Sequence, residues 1–295
     1  KNWLQTVVSH FNKQPVSAED KPKYYFVTFF GNFIEDSNNK SNPRTNEKID
    51  SKTISKYKTT LQRVVDFEEF SNTRLRLIDI DLSFHKNFLG YLVSEWMYNG
   101  TTNEKHIHII KSICKDAKQK GLEISNEVES KLFTVKREKT YETYLTENEI
   151  NRIFKLKIED ENLEHIRDWI IIGVWTGLRV SDLKRLNQVN LKKDTIEITT
   201  VKTGEEAIIP IHPQVREVIR RYENNFPPPI TEQYFNRKMK DVAALANIDQ
   251  VIKGKIPHEV TLPNGEKVYR DKIGDYKKFK LLSSHTCRRS FGLKV

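Results

Sequence analysis

Residues 163–183 read LEHIRDWIIIGVWTGLRVSDL, and this stretch decides the fold of the C-terminal half of the chain. Residues 163–175 are apolar nearly all round, a pattern that indicates a helix running through a protein core. Gly177 predicts a break in this helix, and the helical pattern resumes at Val180. Arg179 directly follows the break, so the buried helix can hold its side chain rigidly and direct it into a cleft.

A hairpin is predicted downstream of the buried helix. Residues 195–201 and 207–211 are short β-prone runs, and the turn between them carries Lys202. We therefore expect a mixed α+β domain with a small antiparallel sheet. Further elements are predicted as helices at 213–222 and 231–246 and as a second hairpin at 260–267.

The first 125 residues are typical of a small all-helical bundle, because apolar side chains recur every three or four positions. The apolar residues of each segment then share one helix face, which packs against the other helices. The helices are predicted at 3–11, 24–34, 51–70, 83–96 and 102–120, with a loop at 38–50.

A domain boundary is predicted between these two halves. Residues 126–144 lose the apolar periodicity and are rich in Lys and Arg, so we interpret them as an exposed basic linker. Thr146 and Glu149 then form the Thr-x-x-Glu pattern of a capping box, which predicts the start of a new helix. The predicted organisation is a helical domain at 1–125, a linker at 126–144 and a second domain at 145–295.

The charge of the chain indicates a polyanionic partner. There are 50 Lys and Arg against 40 Asp and Glu, a formal net charge of +10. Basic residues line one face of helix 51–70 and one flank of helix 102–120. A solvated charged face explains either stripe alone, but the two together favour DNA binding. The predicted DNA-contacting residues are Lys52, Lys56, Thr59, Arg63, Lys111, Lys115 and Lys118.

Several other classes of protein are disfavoured. The two cysteines, Cys114 and Cys287, offer neither a disulfide framework nor a metal-ligand cluster, and they fit a reducing cytoplasm. The longest strongly apolar run, residues 169–175, is too short to cross a bilayer. The opening residues do not have the pattern of a signal peptide, so none is expected.

A second cationic motif lies near the end of the sequence. His285 and Arg288 are three residues apart and share a helix face, and Ser283 or Ser284 is placed to cap that helix. A helix N-terminus favours anions, and Arg288 adds a guanidinium suited to a phosphate. The alternatives are a satisfied core histidine and a surface arginine. A phosphodiester transition state gains negative charge on its nonbridging oxygens, which such cations stabilise.

The order TGLR-x-SDL, a hairpin lysine and then HTCRRSF resembles the tyrosine recombinases, also called phage integrases. The HTCRRSF motif and the basic linker are similar to those of integrases of conjugative transposons and genomic islands. The resemblance implies that Arg179 and Arg288 grip the scissile phosphate and that Lys202 protonates the leaving 5′ oxygen. It implies that His285 assists proton transfer and that Asp182 has a structural role in holding the arginine.

The resemblance also implies an overall architecture and partners. The expected fold is mainly α, with a SAM-like core-binding bundle followed by a recombinase catalytic domain. The expected partners are double-stranded DNA at recombination sites, further copies in a tetramer on DNA, and accessory DNA-bending or excision factors. No cofactor, metal or membrane is implied. The expected location is the bacterial cytoplasm, in association with the nucleoid.

One feature of the family is not matched. The family places a second His or Trp, and then a nucleophilic tyrosine, well beyond the His-x-x-Arg motif, whereas the sequence ends seven residues after Arg288. We therefore expect a fragment that binds DNA without cleaving it. Tyr269 and Tyr276 precede His285, so we interpret them as hairpin or packing residues. The alternatives are a non-catalytic DNA-binding regulatory protein of this fold and a type IB topoisomerase-like enzyme.

Overall fold

The computed structural model describes residues 25–39 and 48–292. The chain divides into two compact units, the first ending at Lys139 and the second beginning at Thr140, inside the predicted linker. Residues 259–270 are grouped with the first unit. The helix predicted at 3–11 and most of the loop predicted at 38–50 lie outside the described residues.

The first unit is helical, as predicted. A polar side chain caps the N-terminus of three of its helices: Asp50, Asp81 and Asn99 each accept a hydrogen bond from a first-turn amide. Phe30, Phe88 and other aliphatic and aromatic side chains fill the core between the helices. The helices are α1 (Phe26–Asn39), α2 (Ser51–Ser71), α3 (Leu82–Ser94) and α4 (Gly100–Gln119).

The start of the predicted linker belongs to the core of the first unit. Residues 126–129 form a 3-10 turn, and both Val128 and Phe133 are fully buried. Lys111 donates a hydrogen bond from Nζ to the carbonyl oxygen of Phe133. The exposed linker therefore begins later than predicted, because two isolated apolar residues among basic ones carry no periodic signal.

The second unit is built around one buried helix. It contains α5 (Glu147–Lys155), α6 (Glu161–Thr176), the short α7 (Val180–Leu183), α8 (Pro213–Arg221), α9 (Glu232–Leu245) and α10 (Ser284–Gly292). Helix α6 contacts α5, α8, α9 and α10. Trp169 and the three isoleucines that follow it are buried, which explains the helix that is apolar nearly all round. The predicted capping box of Thr146 and Glu149 is present.

Two hairpins complete the second half of the chain. Strands β1 (Thr195–Thr199) and β2 (Glu206–Pro210) pair antiparallel, so the intervening turn carries Lys202 as predicted. Strands β3 (Val251–Thr261) and β4 (Lys267–Lys277) form a second sheet. The prediction for the second hairpin was too short, because each strand has eleven residues. No helix in the described ranges is both long and apolar enough to span a membrane.

Candidate active site

Gly177 sets the position of Arg179. It ends α6 in the left-handed region at a φ of 63°, which places Arg179 in extended backbone at the start of α7. A Cβ atom on Gly177 would lie 2.5 Å from Cδ1 of Phe291 in α10. Glycine is required here both for the backbone conformation and for the close approach of the ring.

Arg288 is bonded to the same break. Its Nη1 donates to the carbonyl oxygen of Gly177 at 2.9 Å, two residues before Arg179. Helix α10 packs closely on α6, since a Cβ on Gly173 would lie 3.1 Å from Cβ of Cys287. The two arginines predicted to grip a phosphate are therefore brought to one end of α6.

Asp182 ties this segment to the hairpin turn. Its side chain is fully buried, and Oδ1 accepts the backbone N–H of Val201 at 2.9 Å. Val201 immediately precedes Lys202, so the bond fixes the start of the turn. The family resemblance implies a structural role for Asp182 in holding the arginine, and in the structure the hydrogen bond of its side chain holds the hairpin. Within the described ranges its Oδ2 is buried without a hydrogen-bond partner.

His285 lies exposed in the first turn of α10. The amide of Ser283 donates to Oγ1 of Thr286 at 3.1 Å, and the amide of Ser284 donates to Oδ1 of Asn236 at 2.7 Å. Asn236, on α9, was not identified from the sequence. Two backbone amides at the start of α10 are thus already hydrogen-bonded. An anion at this helix end would therefore be bound mainly by side chains, and less by backbone amides than the sequence predicts.

The arrangement leaves four cationic or protonatable side chains available to an anion. Arg179 is half-buried, whereas Lys202, His285 and Arg288 are exposed. In the part of the chain that the structure describes, none of the four forms an ion pair with a carboxylate. Guanidinium and ammonium groups that have no carboxylate partner suit a phosphodiester.

The cysteine of α10 is a poor nucleophile, and the two tyrosines of the second hairpin lie in other surroundings. Burial raises the pKa of the Cys287 thiol to about 12, which keeps it protonated. The Tyr276 hydroxyl donates to the carbonyl oxygen of Lys272 and lies 3.3 Å from Nε2 of His258. Tyr269 is exposed on β4, within the residues grouped with the first unit.

The predicted DNA face of the first unit contains a cavity between α2 and α4. Its volume is about 550 Å³, and exposed Lys56 and Thr59 line it. Lys105, His108 and Arg137 also line it, although they are not among the DNA-contacting residues predicted from the sequence. Lys105 and His108 are three residues apart on α4, a spacing that was visible in the sequence. Burial lowers the pKa of His106, in the cavity floor, to about 4, so it adds no positive charge.

The remaining predicted DNA residues differ in their surroundings. Lys52 and Lys115 are exposed. Arg63 pairs with Asp66 at 3.0 Å and lies 3.2 Å from the centroid of the Trp96 ring, with 13% of its side chain exposed. Lys118 pairs with Glu129 at 2.9 Å, and Lys111 bonds the backbone. DNA contact stays a prediction for all of them, and Arg63 and Lys111 would first have to leave protein partners.

Two protein families match the chain. The Phage integrase SAM-like domain matches residues 25–136, and the Phage integrase family matches residues 143–260. No curated protein sequence matches the chain. The helical first unit and the arginine- and lysine-bearing second unit thus define an integrase-type protein. The chain belongs to the tyrosine recombinase family, the phage integrases.

Solved structures share the fold. A Tn1549 transposon integrase in complex with a circular intermediate DNA has a TM-score of 0.62 and 15% identity, covering 92% of this chain and 86% of that one. A lambda integrase tetramer bound to a Holliday junction has a TM-score of 0.59 and 14% identity, with coverages of 84% and 75%. The XerH recombinase bound to its difH substrate has a TM-score of 0.58 and 15% identity, with coverages of 95% and 87%. At these identities the likeness is one of fold.

Proposed function

We propose that this protein acts in site-specific DNA recombination, cutting and rejoining strands through a 3′-phosphotyrosyl intermediate. The observation that carries the proposal is the pair of hydrogen bonds from Arg288 to Gly177 and from Val201 to Asp182. These bonds join the helix break, the hairpin turn and α10, which are far apart in sequence. Family membership supports the same assignment.

Each polar residue has a role that follows from its chemistry. Arg179 and Arg288 bind the nonbridging oxygens of the scissile phosphate, because a planar guanidinium donates two parallel hydrogen bonds. Lys202, on an exposed turn, donates a proton to the leaving 5′ oxygen. His285 assists proton transfer at the same phosphate. Asp182 keeps the lysine turn in place.

Neither Tyr269 nor Tyr276 is proposed as the nucleophile, since both precede His285, against the order of the family, and Tyr276 is bonded within the hairpin. We expect the 295-residue chain to bind duplex DNA without a covalent link to it. A denaturation-resistant DNA adduct that Tyr276→Phe or Tyr269→Phe abolishes would contradict this expectation.

The proposed partner is double-stranded DNA at recombination sites, with a tetramer as the active assembly. Solved relatives were bound to DNA, and one was a tetramer on a Holliday junction. Accessory DNA-bending or excision factors and a location at the bacterial nucleoid belong to the same proposal. A native gel-shift assay for a complex that holds two duplex sites distinguishes a recombinase from a topoisomerase, because a topoisomerase needs only one duplex.

DNA binding by the first unit is tested with Lys56→Ala. The variant should bind duplex DNA several-fold more weakly and lower the slope of log Kd against log salt by about 0.9, the value for one lost phosphate contact. Lys86→Ala is the matched control, because Lys86 is an exposed lysine on α3 outside the cavity. Equal slopes for the two variants in a fluorescence anisotropy titration would reject this DNA face.

The phosphate site is tested with Arg288→Ala and Arg288→Lys. Loss of a charge-assisted hydrogen bond to phosphate costs about 1.5–3 kcal/mol, so the alanine variant should bind at least tenfold more weakly. The lysine variant keeps the charge and loses the planar guanidinium, so its affinity should lie between those of the wild type and the alanine variant. Wild-type affinity in the alanine variant would remove Arg288 from the proposed site.

A further inference from the structure

Leu145, the residue that follows the linker, is bonded to the helix that carries His285 and Arg288. The backbone N–H of Leu145 donates to Oγ of Ser290 at 2.8 Å, and the same hydroxyl donates to the carbonyl oxygen of Thr286 at 2.7 Å. Ser290 is 1% exposed and Leu145 is 2% exposed. Because water cannot replace either bond, the end of the linker and α10 are held together.

The other end of the linker is bonded within the first unit. Arg137 donates from Nη2 to Oε1 of Glu104, on α4, at 2.9 Å. Arg137 and Glu104 line the same cavity as Lys56. The Arg137 side chain is 70% exposed, so a phosphate entering this cavity can compete with Glu104 for the guanidinium.

Little chain separates the two attachments. Glu142 lies 3.8 Å from Nε of Arg289 in α10, which adds a second contact next to Ser290. Arg137 and Glu142 are five positions apart, a stretch that spans at most about 18 Å when fully extended. So short a segment absorbs less displacement than a long flexible linker would.

We propose that Ser290 is a positioning residue that couples DNA contact at the cavity of the first unit to the grip of Arg288 on the scissile phosphate. This inference rests on the proposed function. A phosphate at Lys56 draws Arg137 away from Glu104 and shifts the linker. Leu145 carries the shift to Ser290 and α10, and so to Arg288. The two DNA contacts then strengthen one another.

A double-mutant cycle on DNA affinity tests the coupling. Lys56→Ala and Arg288→Ala are measured singly and together, at one salt concentration, in the wild-type and Ser290→Ala backgrounds. We expect a coupling factor of about fivefold or more in the wild type. In the Ser290→Ala background, the loss of DNA affinity in the double variant should equal the product of the two single losses to within about twofold. Ser290→Thr keeps a hydroxyl and should restore the coupling.

Ser112→Ala is the matched control for this cycle. Its hydroxyl donates to the carbonyl oxygen of His108, four residues earlier on α4, as that of Ser290 does on α10. Loss of this bond should leave the coupling at its wild-type value. A role for Ser290 that is only structural lowers stability and leaves the coupling factor unchanged.

The outcomes separate the inference from the proposed function. If neither Lys56→Ala nor Arg288→Ala weakens binding, the proposed function fails. If both weaken it, while coupling is absent in the wild type or persists in Ser290→Ala, the inference is overturned and the proposed function stands.

Amide hydrogen exchange on the wild type covers the case in which Ser290→Ala does not fold. DNA should change the exchange rates of the Leu145 amide and of the α10 amides together. A change in α10 with an unchanged Leu145 amide overturns the inference.

Discussion

Gly177 shows how one residue without a side chain holds two parts of the site. Its positive φ ends α6, its carbonyl oxygen accepts from Arg288, and the Phe291 ring occupies the space of a Cβ. The sequence predicts the helix break and the candidate role of Arg179. It does not reveal Phe291 over the glycine, because that contact joins residues more than a hundred positions apart.

Replacing Gly177 by alanine should destabilise the second unit by about 2–4 kcal/mol. An L-residue in the left-handed region costs about 1–2 kcal/mol, and displacing Phe291 adds a cost of similar size. Gly121→Ala is the control, since Gly121 has a φ of 75° and open space around its Cβ position. It should lose about 1–2 kcal/mol. Urea unfolding measures the loss of stability in both variants. Equal losses would show that the Phe291 ring moves aside without an energetic cost.

Arg63 shows where the residue pattern is insufficient. Helical spacing puts Arg63 on the same face as Lys56, and this much follows from sequence. Its stacking on Trp96 and its low exposure depend on the loop after α3, more than thirty residues away. Charge patterns locate a basic face, but they do not distinguish a free cation from one that already has a partner.

At the scale of elements, prediction succeeded where a segment carries its own signal. Helix α2 and the capping box of α5 follow from apolar spacing and local polar residues. Strands β3 and β4 were mostly missed, because nearly all of their residues are at least partly exposed and give no clean alternation. The attachment of the β1–β2 turn to Asp182 was also missed, since a buried carboxylate on a four-residue helix has no distinguishing pattern.

Asp182→Ala should loosen the lysine turn. The Val201 amide loses its acceptor, at a cost of about 1–3 kcal/mol, so amides at 200–205 should exchange about tenfold faster or more. Asp182→Asn keeps an acceptor oxygen and should behave nearly as the wild type. Asp194→Ala is the control at the opposite end of the hairpin, where the side chain is 70% exposed and pairs with Arg216. Unchanged exchange in Asp182→Ala would contradict the proposed role of this bond.

At the scale of the whole molecule, the charge of +10 favours DNA. Two buried groups in the first unit have pKa values shifted far enough, in opposite directions, to change its stability between about pH 4 and 7. Burial raises the pKa of Glu68 from 4.5 to about 7, and burial lowers the pKa of His106 from 6.5 to about 4. Glu68 accepts the Leu75 amide through Oε1, and His106 contacts the Thr60 hydroxyl.

The two groups change stability in opposite directions over the same pH range. Between about pH 4.5 and 7 the folded protein keeps the Glu68 proton that the unfolded chain loses, so stability falls as pH rises. Between about pH 6.5 and 4, His106 binds a proton in the unfolded chain but stays neutral in the folded protein, so stability falls as pH falls. These two contributions nearly cancel between pH 4.5 and 6.5. Burial also lowers the pKa of His85, so we expect the first unit to keep a small net loss of stability as pH falls across this range.

Single variants should uncover each slope. Glu68→Gln mimics the protonated carboxyl, so it should stabilise the first unit above pH 7 by on the order of 3 kcal/mol. The effects of His106 and His85 then remain, so this variant should lose stability as pH falls. His106→Asn keeps a polar group that can hydrogen-bond to the Thr60 hydroxyl, and this variant should instead gain stability as pH falls from 7 to 4.5. Glu69→Gln, at an exposed neighbouring position, should retain the wild-type profile. Urea unfolding at pH 4.5, 6.5 and 8 measures the stability of all three variants. Parallel stability profiles for Glu68→Gln and the wild type would show that Glu68 has the same pKa in the folded and unfolded states.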